Sequence, residues 1–143
     1  MKRTFTLDDA IQVARRAHEG QLDKSGRPYI GHPLRVMGAL RDEQERMAAV
    51  LHDVVEDTSV TLEDLAEKGC PQPVLDAIAA ISKRPGEDQE AYLARVARNP
   101  IALAVKRADI EDNMSPDRMS RLDKATQERL LAKYTSALRQ LGA

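Results

Sequence analysis

The chain has one cysteine, no tryptophan, one phenylalanine and three tyrosines among its 143 residues. A single cysteine, Cys70, excludes an intrachain disulfide and any cysteine-rich zinc site, and it fits a reducing compartment. Cys70 itself reads as a half-buried loop thiol. So few aromatics leave little for the stacking platforms that hold single-stranded nucleic acid. An excess of charge of either sign is also missing, with 22 Lys plus Arg against 23 Asp plus Glu and a formal net charge of −1. Without a basic surplus, the counterion release that binds polymeric nucleic acid has little to act on. Long apolar runs are absent: stretches such as Met47–Leu51 and Ile101–Val105 are too short to predict a membrane span. Met1-Lys2-Arg3 leads into mixed polar residues without the apolar core of a signal peptide, so the expected location is cytoplasmic.

What is present suffices for one domain over residues 1–143. The chain is 42% hydrophobic and 31% charged, and one of this size typically removes about 68% of its unfolded surface from water. No stretch alternates apolar and polar residues for long enough to predict a strand, whereas apolar residues recur at helical spacing throughout. The expectation is an all-α fold of about seven or eight helices. Thr6 with Asp9 three residues on predicts a capped helix over about 7–19, closed by Gly20. Residues 20–31 hold three Gly, a Pro and a Ser and read as a structured loop. His32-Pro33 opens a helix to about Leu40, and another is predicted over about 43–56. Further helices are expected at about 61–69, 71–82, 88–98, 101–113 and 124–141, the fourth of these set off by Asn99-Pro100.

All three histidines, His18, His32 and His52, lie in the first 52 residues. His52-Asp53 is followed by Val54-Val55-Glu56-Asp57, so on a continuous helix His52 and Glu56 are i and i+4, as are Asp53 and Asp57. Adjacent His and Asp side chains point about 100° apart and can both reach a metal held inside a bundle. Asp109 lies in an otherwise apolar helix, where an ionised carboxylate is costly unless a cation or hydrogen bonds compensate it. Taken singly, each piece has an ordinary explanation: His32 as a helix cap, Asp109 as the ion-pair partner of Lys106 or Arg107, Glu56-Asp57 as a solvated helix end. His18 is read as a structural residue tying the loop.

Four stretches taken together carry more. His18-Glu-Gly-Gln21, Lys24-Ser-Gly-Arg-Pro-Tyr-Ile-Gly-His-Pro33, Leu51-His-Asp-Val-Val-Glu-Asp-Thr58 and Lys106-Arg-Ala-Asp-Ile-Glu-Asp-Asn113 closely resemble the HD-type hydrolase domain of the RelA/SpoT alarmone enzymes. The resemblance covers about residues 8–120. It points to an HD-domain helical bundle and a small alarmone hydrolase like the metazoan SpoT homologues, with no synthetase or regulatory domain following. It implies a metal, usually Mn²⁺, held by His32, His52, Asp53 and Asp109. It implies that Glu56 and Asp57 position and deprotonate the attacking water or protonate the leaving oxygen. It further implies that Lys24, Ser25 and Asn113 contact a nucleotide, (p)ppGpp, cleaved to GDP or GTP plus pyrophosphate.

The departures concern the base. Asp23 stands where the family usually has an arginine that packs on the base, and a carboxylate offers no cation–π contact. Ile110 and Asp112 replace an Arg and a His. An adenine counterpart such as (p)ppApp, a phosphate of another dinucleotide, or broader phosphomonoesterase action therefore stays open. So does a different class of function, a non-catalytic nucleotide-binding regulatory module or antitoxin acting by sequestration. Partner expectations are a small nucleotide, no polymeric nucleic acid and no membrane, with the oligomeric state unassigned.

Overall fold

The computed structural model describes residues 4–23 and 26–142. Among these, ten helical segments form and no strand does; an isolated antiparallel bridge joins Leu22 to Pro28. In chain order the segments are α1 (Leu7–Ala17), α2 (Gly31–Gly38), α3 (Glu43–Leu51), α4 (Val54–Asp57), α5 (Leu62–Glu67), α6 (Gln72–Ile81), α7 (Gln89–Ala97), α8 (Pro100–Asn113), α9 (Pro116–Met119) and α10 (Lys124–Gln140).

The boundaries follow capping chemistry. Thr6 Oγ1 accepts the Asp9 N–H at 3.1 Å while Asp9 Oδ2 accepts the Thr6 N–H at 2.9 Å, and Thr61 with Asp64 repeats the box before α5. Asn99 Oδ1 accepts the Ala102 N–H at 3.0 Å and Pro100 takes the first helical position, so α8 starts at the predicted break.

The count exceeds the seven or eight helices expected for two reasons. One is the short α9, whose start is capped by Ser115. The other is a correction: the single helix predicted over about 43–56 is divided at His52-Asp53. His52 Nδ1 donates to the Ala49 carbonyl at 2.5 Å, the acceptor that a continuing helix would offer to the Asp53 N–H. The apolar stripe runs on through Val54 and hides this break from periodicity.

α3 is the centre of the bundle. Met47 through Leu51 are all buried, and the helix packs against α1, α2, α6 and α8. With Leu51 fully enclosed, Leu51→Ala is expected to cost about 2–5 kcal/mol, read as a lowered midpoint in urea with an unchanged slope. Cys70 also belongs to this core and is not half-buried as expected. It is 6% exposed, and burial pushes its thiol up to about 11, which makes it a poor nucleophile. Among the described residues no helix is long and apolar enough to cross a membrane.

The connection from α1 to α2 wraps back onto the bundle. Tyr29 N–H donates to Gln21 O at 2.8 Å and Asp23 N–H to Arg27 O at 2.8 Å, while Gly26, at φ +81°, takes a left-handed turn that side chains resist. Lys24 and Ser25, expected to contact the nucleotide, lie outside the described residues.

Candidate metal centre and its cavity

Three buried side chains from three elements converge. His32 comes from the first turn of α2, His52 from the end of α3 and Asp109 from the middle of α8, and one donor atom of each lies within 4.8 Å of the others. Asp53 borders the group, its Oδ2 3.1 Å from His52 Nε2. The structure thus brings together three of the four residues that the resemblance assigns to a metal, with Asp53 beside His52.

The surroundings fix how these side chains point. Because His52 Nδ1 donates to Ala49 O, the lone pair of its neutral ring sits on Nε2, facing the centre. That nitrogen is buried without an aligned hydrogen bond, although Asp53 Oδ2 and Asp109 Oδ1 stand 3.1 and 3.4 Å away. An orphaned imidazole nitrogen among carboxylates suits a cation, and a set of two imidazoles and two carboxylates suits a borderline-hard divalent one. Tyr29 donates its hydroxyl to Asp53 Oδ2. His32 Nε2 lies 2.7 Å from Asp109 Oδ1, its Nδ1 lies 2.6 Å from Asp112 Oδ2, and Lys106 Nζ lies 3.3 Å from Asp109 Oδ2. Lys106 is thus the ion-pair partner that an isolated Asp109 was expected to have.

Charge is strongly coupled here. Burial pushes the Asp53 carboxyl up, but the His52 charge and the Tyr29 hydroxyl more than offset it and hold it at about 2. Burial likewise raises Asp112, and hydrogen bonds from His32 and Arg35 bring it to about 2. Asp109 is held well below the usual carboxylate range despite burial, by His32, His52 and Lys106. Burial lowers His32 and His52, yet Asp109 with Asp112 for the first, and Asp53 with Asp109 for the second, leave both raised.

The signs set a pH dependence for the metal-free protein. A carboxylate depressed on folding stabilises the fold above its unfolded pKa of about 3.9 and loses that contribution as pH falls through its folded value. Asp53 and Asp112 therefore predict an acid limb between about pH 4 and pH 2. The raised histidines act oppositely, contributing below about pH 6.5 and losing that contribution as pH rises through their folded values. Thermal melts across pH check this: melting temperature is expected to fall on both sides, and Asp112→Asn is expected to flatten the acid side.

A cavity of about 360 Å³ opens on the centre. It is lined by the acids and imidazoles His32, His52, Asp53, Asp109 and Glu56 and by the cations Lys83, Lys106, Arg118 and Lys133, with Asn113 and Tyr134. Of these four cations the sequence pointed to Lys106 alone, as a partner of Asp109; only the fold collects them, from the α6–α7 connection, α8, α9 and α10. Tyr92, whose hydroxyl donates to Ile81 O at 2.6 Å, carries Lys106 Nζ 5.3 Å and Lys83 Nζ 5.7 Å from its ring centroid.

Glu56 lines the cavity; Asp57, from the same short helix, does not. The Glu56 carboxyl is raised by burial and by Asp53 and Asp57, and that of Asp57 by burial and Asp53. Asn113 lines the cavity and accepts from Arg118 Nη1 at 2.8 Å. His18 ties the loop, its Nδ1 2.9 Å from Gln21 Oε1 and its ring 5.0 Å from that of Tyr29. Leu22, 61% exposed, and Asp23 also line the cavity, and Asp23 Oδ1 accepts the Arg27 N–H at 3.0 Å.

Comparison with known proteins adds three kinds of likeness. The profile of the family described as HD domain matches residues 10–107. A probable GTP pyrophosphokinase of Mycobacterium leprae is 38% identical over 117 residues, 73% of this chain and 15% of that protein. A guanosine-3′,5′-bis(diphosphate) 3′-pyrophosphohydrolase of Haemophilus influenzae is 35% identical over 136 residues, 81% of this chain and 20% of that one. The bifunctional (p)ppGpp synthase/hydrolase SpoT of Escherichia coli K12 is 44% identical over 81 residues, 54% of this chain and 11% of the other. The chain thus spans about a fifth or less of the length of these relatives. A solved structure of a metazoan ortholog of SpoT, described as hydrolyzing ppGpp, shares the fold with a TM-score of 0.79 at 23% identity, covering 99% of this chain and 88% of the other.

Proposed function

The chain belongs to the HD-domain family, and on that premise we propose that residues 1–143 act as one metal-dependent phosphohydrolase domain that removes the 3′-diphosphate of an alarmone nucleotide. The substrate in this reading is (p)ppGpp, giving GDP or GTP plus pyrophosphate, with (p)ppApp as the adenine counterpart, and the site of action is the cytoplasm. The observation that carries it is the orphaned, buried Nε2 of His52 in a ring of His32, Asp53 and Asp109 that opens on a cavity with four cations. The relatives named for this hydrolysis support it.

His32, His52, Asp53 and Asp109 would hold a divalent cation, Mn²⁺ in our reading, whose bound form supplies Lewis acidity and a lowered pKa for water. The chain's own residues do the rest. Tyr29 keeps Asp53 oriented through its hydroxyl. Glu56, lining the cavity with its carboxyl raised above the ordinary value, takes the proton from the attacking water, and its neighbour Asp57 adds to that rise. Lys83, Lys106, Arg118 and Lys133 offset the charge of a substrate phosphorylated at both ends, without which a pocket holding Asp53, Glu56 and Asp109 would repel it. Asn113 contacts the nucleotide from α8, and Lys24 and Ser25 do so from the loop.

A product panel tests this. The Mn²⁺-loaded protein is expected to release pyrophosphate from ppGpp, ppApp or both, and Asp53→Ala is expected to release none. Orthophosphate as the product, or turnover of NADPH alone, would shift the reading to a phosphomonoesterase. Tight nucleotide binding without turnover, unchanged in Asp53→Ala, would shift it to a sequestering module.

A further inference from the structure

The use of His32 Nε2 as a ligand depends on where the ring proton sits, and Nδ1 has two neighbours with opposite demands. Asp112 Oδ2, at 2.6 Å, can only accept; Arg118 Nη1, at 2.7 Å, can only donate. If Nδ1 carries the proton, it donates to Asp112 and leaves Nε2 as a lone pair. If Nδ1 accepts from Arg118 instead, the neutral ring must carry its proton on Nε2, where Asp109 Oδ1 at 2.7 Å would accept it. That arrangement turns the wrong atom toward a cation. Three further contacts favour the first arrangement. Arg35 Nε donates to Asp112 Oδ1 at 2.9 Å and anchors the carboxylate, while Arg118 Nη1 is also drawn to Asp112 Oδ2 at 3.0 Å and Asn113 Oδ1 at 2.8 Å.

We propose that Asp112 is a positioning residue for the metal site: held by Arg35, it keeps the proton on His32 Nδ1 against Arg118. This rests on the reading of His32 as a metal ligand. It also gives a physical role to a position where the sequence departs from the histidine usual in the resembled family. The α8 register makes it possible, since Asp109 and Asp112, one turn apart, reach opposite nitrogens of the same ring.

The test measures Mn²⁺ affinity by calorimetry or by the electron paramagnetic resonance of the free ion, on wild-type protein, Asp112→Ala, Asp112→Asn and the double variant Asp112→Ala/Arg118→Leu. Asp112→Ala is expected to weaken binding about tenfold to a hundredfold. Asp112→Asn keeps an oxygen that can accept from Nδ1, and its loss is expected to be only a few-fold. The double variant is expected to recover most of the affinity, because the competing donor is gone. Proton spectra of the Zn²⁺-loaded protein give a second readout, with the downfield Nδ1–H signal of His32 expected in wild-type and Asp112→Asn proteins. Equal losses in the alanine and asparagine variants would mean that charge alone matters, and a double variant weaker than the single would mean packing; either overturns the proposal. Undiminished binding in Asp112→Ala overturns it while leaving the metal reading intact, whereas wild-type protein that binds no Mn²⁺ removes both. Should Asp112→Ala not fold, the asparagine variant and the imidazole signal still decide.

Discussion

His52→Ala is expected to lower pyrophosphate release by on the order of a thousandfold or more, while the protein keeps its helical content. A divalent cation held there would supply several kcal/mol of charge stabilisation in the transition state, and each 1.36 kcal/mol is about tenfold in rate. His52 is the side chain whose removal costs most, because its position is set from both sides. Nδ1 is tied to Ala49 O, and Nε2 stands 3.1 and 3.4 Å from Asp53 and Asp109 oxygens without an aligned hydrogen bond. Alanine removes the nitrogen and leaves those carboxylates facing each other across a buried gap, so Mn²⁺ affinity is expected to fall with the rate. Full activity with full Mn²⁺ affinity in this variant would sink the assignment.

Glu56→Gln is expected to separate chemistry from binding. The substitution keeps the shape and removes the base, so the rate of hydrolysis is expected to fall by about 10²- to 10⁴-fold with Mn²⁺ affinity nearly unchanged. Because burial, Asp53 and Asp57 raise the Glu56 carboxyl, the acid limb of kcat/KM in wild-type protein is expected above the value of a free glutamate. That limb should vanish in the glutamine variant. Asp57→Asn is expected to do less and to act through Glu56, since Asp57 does not line the cavity. A larger loss in Asp57→Asn than in Glu56→Gln would reverse the two roles.

Much of the helical frame could be read directly because it depends on local chemistry. Thr6, Thr61 and Asp123 cap the helices whose starts the sequence placed there, and Asn99-Pro100 divides α7 from α8 as expected. The break at His52-Asp53 was hidden because the signal that divides the helix is a side-chain hydrogen bond to Ala49, not a change in apolar spacing. Of the centre, Asp109 stood out as a carboxylate in an apolar helix and His52-Asp53 as an adjacent pair, and the resemblance joined them with His32. Arg118, Lys83 and Lys133 did not, and Asp112 did so only as a departure from the resembled family. Their meaning comes from contacts across the fold, such as the 80 residues between His32 and Asp112, and no local pattern distinguishes them from solvated charges.

The central claim is that the cluster of His32, His52, Asp53 and Asp109 turns over a nucleotide 3′-diphosphate through a divalent cation. The most direct measurement takes wild-type protein stripped of metal, adds ppGpp, and follows products by phosphorus NMR before and after Mn²⁺ is restored. No change is expected before addition, then one pyrophosphate formed for each ppGpp consumed, with GDP as the other product. Hydrolysis that proceeds equally without metal, or metal-restored protein that leaves both ppGpp and ppApp intact, would contradict it.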